Sequence, residues 1–127
     1  EELIVQGRKL FVPKAAKGVA VFSFKRLCAN PLGAAYYLAI ARTYHTVIMV
    51  AIPQFNQEIE DQAKRFILLI DALYEYGVKF LCSAAVPVQS LYVGREIGFE
   101  FERTISRLME MQSEGYLTQG HGKATSD

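Results

Sequence analysis

Thr46-Val47-Ile48-Met49-Val50-Ala51-Ile52 is a continuous apolar run closed by Pro53, and Val78-Lys79-Phe80-Leu81-Cys82-Ser83-Ala84 is a second. Runs without polar alternation are expected of strands covered on both faces, as in parallel sheets. Between them, Glu58, Glu60 and Asp61 open a helix, where negative charge suits the N-terminal dipole. Ile59, Ala63, Phe66, Ile70 and Leu73 form its core stripe, and Gly77 ends it. Strand, helix and strand at this spacing predict a βαβ unit with parallel strands and a right-handed crossover. The fold class is therefore α/β.

Upstream, Leu10 to Val12 and Val19 to Phe24 are short runs rich in β-branched and aromatic residues. The turn-like stretch Pro13 to Gly18 separates them, so the pair is expected to form a β-hairpin. A helical turn is expected around Phe24 to Cys28, a break at Asn30-Pro31-Leu32-Gly33, and a helix from Gly33 to Tyr44 with Tyr37, Ile40, Ala41 and Tyr44 on one face. Downstream, Ala85 to Gly98 reads as a loop. Phe99 to Glu114 reads as a C-terminal helix with Phe101, Ile105, Leu108 and Gln112 down one side, and the chain from Gly115 reads as a mobile tail.

The 127 residues fit one domain or a piece of one, and 51% hydrophobic with 21% charged residues is globular composition. A net charge of +1 argues against broad attraction to nucleic acid or anionic lipid. The aromatics fall at core spacing without basic residues interleaved, so no nucleic-acid partner is expected. No apolar run approaches the roughly 20 residues of a transmembrane segment. Cys28 and Cys82, far apart in a cysteine-poor chain, suggest a reducing compartment, with Cys82 a small buried hydrophobe. His45 and His121 lack partners at metal-ligand spacing, so no metal is expected. Glu1 to Val5 carries neither a basic leader nor an initiator methionine, as expected of a piece of a longer chain.

An ATPase needs a phosphate cradle, G-x-x-x-x-G-K-[ST], between a strand and a helix. The one look-alike is Gly122-Lys123, where Leu117 replaces the first glycine and Ala124 the Ser or Thr. Phe66-Ile67-Leu68-Leu69-Ile70-Asp71 imitates a metal-binding strand, but it continues the helical stripe from Ile59 to Leu73, which makes Asp71 a helix-surface or network residue. Three arginines remain as candidates for stabilising charge on a transferring phosphate: Arg103 and Arg107, four apart on the C-terminal helix, and Arg65 on the central one. Structural pairing is the competing reading, since Glu100 lies three residues before Arg103 and Glu110 three residues after Arg107, with Glu114 a further turn along the same helix. No Ser-His-Asp or Cys-His arrangement stands out.

Gly7-Arg8-Lys9-Leu10, Phe22-Ser23-Phe24 with Leu27-Cys28, and Pro31-Leu32-Gly33-Ala34-Ala35 ahead of Tyr37-Leu38 resemble the ZapE-like ATPases, a family that includes mitochondrial ATPase-family-gene-one-like proteins. The likeness continues through Tyr44-His45-Thr46-Val47, Ile52-Pro53, Ala63-Lys64-Arg65-Phe66-Ile67, Leu69-Ile70-Asp71-Ala72-Leu73-Tyr74, Ser83-Ala84 and Leu91-Tyr92. It ends on Phe99-Glu100-Phe101-Glu102-Arg103-Thr104-Ile105-Ser106-Arg107-Leu108-Met109-Glu110-Met111-Gln112-Ser113, the most specific run. Three positions depart from the family pattern: Tyr36 for Asp, Lys64 for Arg, and Ala51 for a polar residue.

The resemblance implies a partial P-loop NTPase domain at residues 1–117 followed by a flexible tail at 118–127. It implies ATP and magnesium as cofactors of the full-length protein, with both Walker motifs upstream and the fragment alone inactive. It further implies the rest of the ATPase domain, an oligomer or a client protein as partners, in cell division or protein quality control. The loop from Ala85 to Gly98 is short beside the mitochondrial relatives, which implies a bacterial, cytoplasmic source, with the mitochondrion as alternative. The competing functional reading is a non-catalytic protein-interaction domain, and a small nucleotide-binding module ranks third.

Overall fold

The computed structural model describes residues 2–12 and 14–122. Glu2–Val5 (β1) and Arg8–Phe11 (β2) form a separate antiparallel ribbon. Lys14–Ala16 (β3), Val19–Ser23 (β4), Thr46–Ile52 (β5) and Lys79–Ala84 (β6) form a four-stranded sheet in the order β3-β4-β5-β6. β3 runs antiparallel to β4, while β4, β5 and β6 are mutually parallel. Helix α1 (Ala34–Thr43) connects β4 to β5, α2 (Glu60–Glu75) connects β5 to β6, and α3 (Gly98–Glu110) packs on α2 ahead of the short α4 (Glu114–Leu117). The α/β class and the parallel βαβ unit are as expected.

The central crossover follows from local chemistry. Asn56 accepts a hydrogen bond from the Glu58 N–H at 2.9 Å and starts a 3₁₀ turn, Gln57–Ile59, that leads into α2. Ala63, Phe66, Ile70 and Leu73 are buried as the stripe predicts, with Ile59 partly buried. Gly77 ends the helix at φ +66, where a Cβ would lie 2.9 Å from the Gly120 carbonyl oxygen. Tyr37, Ile40 and Ala41 are buried on α1, and Tyr44 is buried just past its end. The expected turn near Cys28 is a single π-helical turn, Lys25–Ala29, whose Lys25 and Arg26 carbonyls accept from the Asn30 side-chain amide. An aromatic cluster ties the sheet to the outer helices: the Phe55 ring lies 5.3 Å from both Phe66 and Phe101, and Tyr92 stacks on Phe101 at 5.2 Å.

Four expectations are corrected. The hairpin partner of β4 is β3, inside the stretch read as a turn, because the chain reverses at Lys17 and Gly18, both at positive φ. Leu10 pairs instead with Leu3 in the β1–β2 ribbon, and Pro13 lies outside the described residues. Neither apolar run is buried on both faces: β5 alternates, with Val47 and Met49 fully buried and Val50 40% exposed, and β6 is an edge strand with Leu81 54% exposed. The reason is that α1 and α2 pack against each other on one side of the sheet.

The C-terminal helix breaks after Glu110, so Gln112 leaves the stripe and is exposed while Met111 is buried. Ser113 then caps α4 by accepting from the Tyr116 N–H at 3.2 Å. The chain from Gly115, expected to be a mobile tail, is packed as far as it is described. Tyr116 is buried and its hydroxyl donates to the Leu73 and Val78 carbonyls at 3.1 and 2.7 Å. Lys79 donates to the Gln119 carbonyl at 2.8 Å, and the Gly122 N–H donates to Tyr76. Lys123 of the Gly122-Lys123 look-alike lies outside the described residues.

Candidate functional site

The carboxyl ends of β4, β5 and β6 form one edge of the parallel sheet, the position where open α/β sheets collect ligands. β5 carries a bulge here: Met49 pairs with Cys82 and Ile52 with Ala84, so Val50 and Ala51 oppose Ser83 alone. Ala51 has φ +66, a left-handed conformation that costs an L-residue with a Cβ about 1–2 kcal/mol. It is held there by its N–H, which donates to the Ser83 hydroxyl at 2.9 Å. Beside it, at the end of β4, Ser23, Lys25, Arg26 and Asn30 line a cavity of about 230 Å³. The Ser23 hydroxyl accepts from the Arg26 N–H at 3.1 Å, which fixes the first turn after the strand.

This donor set is a hydroxyl, an amide and two cations, without a carboxylate. Its chemistry suits an anion but does not fit a magnesium–triphosphate, which needs a carboxylate among its metal ligands and a run of backbone N–H groups around the phosphates. Among the described residues no group of three His, Cys, Asp or Glu side chains could hold a metal ion. No catalytic step through ATP is therefore assigned to these residues.

The three candidate arginines do not converge. Arg107 forms an ion pair with Asp71 across the α2–α3 contact, and its guanidinium lies 5.1 Å from the centre of the Tyr74 ring. Tyr74 in turn donates to Glu110 at 2.8 Å, a hydrogen bond that, with some burial, raises its pKa. Arg103 is exposed and lines a cleft of about 360 Å³ with Lys64, Ile67, Leu68, Asp71 and Glu100. Asp71, paired with Arg107, thus lines the same cleft as Arg103. Arg65 points elsewhere, donating to the Cys28 carbonyl at 2.8 Å and pairing with Asp61 at 3.4 Å.

Sequence reasoning sought partners for Arg103 and Arg107 among Glu100, Glu110 and Glu114. The partner of Arg107 is Asp71 on another helix, visible in sequence only as a network residue. The Arg65 contact with a backbone carbonyl left no sequence signal at all. Cys82, expected to be buried, is exposed, because the carboxyl half of β6 extends beyond the cover of the helices. Cys28 is buried, and burial pushes its thiol pKa up to about 12. His45 contacts the Lys17 carbonyl and the Thr46 hydroxyl, and His121 the Ala41 carbonyl, so both rings are used in packing the chain.

The order of elements, the three parallel strands and the helices on them define an α/β unit of the kind found in ATPase domains. The AFG1-like ATPase family matches residues 1–120, and the chain belongs to that family. It is 42% identical over 113 residues to the cell division protein ZapE of Escherichia coli, covering 86% of this chain and 30% of that protein. It is 37% identical over 145 positions to an uncharacterised protein of Schizosaccharomyces pombe, covering 92% of this chain and 32% of the relative. Lactation elevated protein 1 homolog B of Danio rerio is 33% identical over 150 positions, covering 93% of this chain and 30% of the relative. The chain thus spans about a third of the length of these relatives. No solved structure matches it. No helix among the described residues is long and apolar enough to cross a membrane.

Proposed function

We propose that this chain is the C-terminal portion of an ATP-hydrolysing enzyme whose phosphate cradle and magnesium-binding carboxylates lie in a part of the polypeptide outside it. The observation that carries the reading is the family match along residues 1–120 in a chain whose sequence offers no workable G-x-x-x-x-G-K-[ST]. In the complete protein, ATP and magnesium serve the missing part. The present part contributes a packed α/β unit and candidate arginines, Arg103 foremost, with Arg107 and Arg65 already engaged in packing contacts. The Escherichia coli relative's name supports cell division as the process, with protein quality control as the alternative, in the bacterial cytoplasm.

Turnover assays test this reading. The complete polypeptide is expected to hydrolyse ATP with magnesium, and residues 1–127 alone are expected not to. Magnesium-dependent hydrolysis by the 127-residue chain that survives further purification would overturn the assignment of the chemistry to another part.

A further inference from the structure

The described residues leave one face of the parallel sheet bare, and its middle is apolar. In register across three strands, Val21 pairs with Ile48 and Ile48 with Leu81. Val21 and Ile48 are half-buried, while Val50 and Leu81 on the same face are 40% and 54% exposed. The other face is packed under α1 and α2, where Ala20, Phe22, Val47 and Met49 are essentially inaccessible. Sheets of parallel strands are found with both faces covered, so a bare one is an unfinished layer.

Topology explains why the described chain leaves it bare. β4, β5 and β6 follow one another across the sheet in one direction, and crossovers of one hand then put both connecting helices on the same side. Among the described residues the outer edge of β6 is also unpaired, with Leu81 to Ala84 exposed along it, which is an aggregation hazard in a finished domain. The one charge on this face of the three strands, Lys79, is turned to the Gly77, Tyr116 and Gln119 carbonyls. The middle of the face, from Val21 through Ile48 and Val50 to Leu81, is therefore uncharged, and the exposed cation beside it is Lys14 on β3, paired with Val21 at the rim. An apolar middle with a single rim cation suits an apolar protein layer better than a nucleic acid or lipid headgroups.

We propose that this face is the seat of apolar helices from the remaining portion of the same polypeptide, so that the complete domain has helices on both sides of the β4-β5-β6 sheet. The inference rests on the reading of the chain as part of a longer ATPase. The relatives carry about two-thirds of their length outside the matched region, enough for such a layer. A face and a neighbouring strand edge left open together fit a continuing α/β domain. A tethered segment also reaches the face at an effective concentration in the millimolar range, far above that of a second copy.

Cysteine labelling in the complete polypeptide tests the proposal. In a Cys82→Ser background, Leu81→Cys and, separately, Val50→Cys report the face, and Ser106→Cys, on the exposed side of α3, is the reference. Maleimide is expected to label both face positions at least roughly tenfold more slowly than the reference, in a preparation shown by light scattering to be monomeric. Labelling of both face positions as fast as the reference would overturn the proposal. So would protection that is lost when a dimer is diluted to monomer, since a second copy would then be the occupant. ATP turnover measured on the same preparation keeps the two readings apart: a protected face in a monomer without turnover sinks the ATPase assignment and upholds the covered face.

Discussion

Arg107 on α3 and Asp71 on α2 form an ion pair over the ring of Tyr74, and this contact holds the C-terminal helix to the central crossover. The two side chains are 28% and 32% exposed, so water screens the pair only in part. The same guanidinium is thus committed to carboxylate and aromatic partners at once, a use that favours arginine over lysine because its flat fork can do both.

A double-mutant cycle on Arg107→Ala and Asp71→Ala is expected to give a coupling of about 1 kcal/mol, at the upper end for partly exposed pairs. Arg107→Lys should recover only part of it, since the stack on Tyr74 is lost. Denaturant titration of the four proteins measures the coupling, and a value near zero would return the contact to surface decoration.

The two thiols should differ sharply in reactivity. Cys82 is exposed, while Cys28 is buried with its pKa pushed up to about 12. Only the thiolate attacks an alkylating agent, so at pH 8 iodoacetamide is expected to modify Cys82 and to spare Cys28 until the protein is unfolded. The sign for stability follows. Folding retains the Cys28 proton, so its stabilising effect is full below the ordinary thiol value of 9.0 and is lost as pH rises toward about 12. Tyr37 and Tyr116, raised mainly by burial, act in the same direction at still higher pH. Mass spectrometry after timed alkylation checks the first claim, and modification of Cys28 at the Cys82 rate would contradict the packed core around it.

Ala51 sits in left-handed backbone without being glycine. Ala51→Gly is expected to raise stability by about 1 kcal/mol by removing the Cβ clash, less the extra entropy that glycine gives the unfolded chain. Ala51→Val should be destabilising, because a β-branched residue tolerates this conformation worst. Thermal melts of the two variants decide the matter, and a loss of stability in Ala51→Gly would mean that the Ser83 contact, and not strain, governs this bulge.

The central crossover was legible because its signals are local. The apolar stripe of α2, the acidic first turn and Gly77 each act within a few residues. What the sequence hid depends on partners far along the chain. Apolar runs in β5 and β6 look alike whether a second layer covers them or not, so their burial on both faces was inferred from composition while the described chain provides one layer. β3 was unreadable because Lys14-Ala15-Ala16 has no strand propensity, and its pairing comes from the tight reversal at Lys17 and Gly18. The candidate site divided in the same way. Periodicity placed Arg103 and Arg107 on one helix, but the choice of Asp71 as a partner and the turn of Arg65 toward the Cys28 carbonyl are tertiary facts.

Of the three arginines, Arg103 is the sharpest test of a nucleotide-linked role. It is exposed, it makes no ion pair among the described residues, and it stands in a cleft that also contains Lys64, Glu100 and the Asp71 carboxylate held by Arg107. Its removal should therefore leave the fold within about 0.5 kcal/mol of the parent, as for other surface substitutions free of packing contacts. An arginine that stabilises charge at phosphoryl transfer is worth about 10³ or more in rate. In the complete polypeptide, Arg103→Ala is thus expected to melt normally while ATP turnover falls by about that factor. Arg107→Ala confounds the two effects, since it also opens the α2–α3 contact, and Arg65→Ala frees the Cys28 carbonyl. Melting curves and steady-state turnover on the same three variants separate the outcomes: normal turnover in Arg103→Ala would assign this cleft to structure alone.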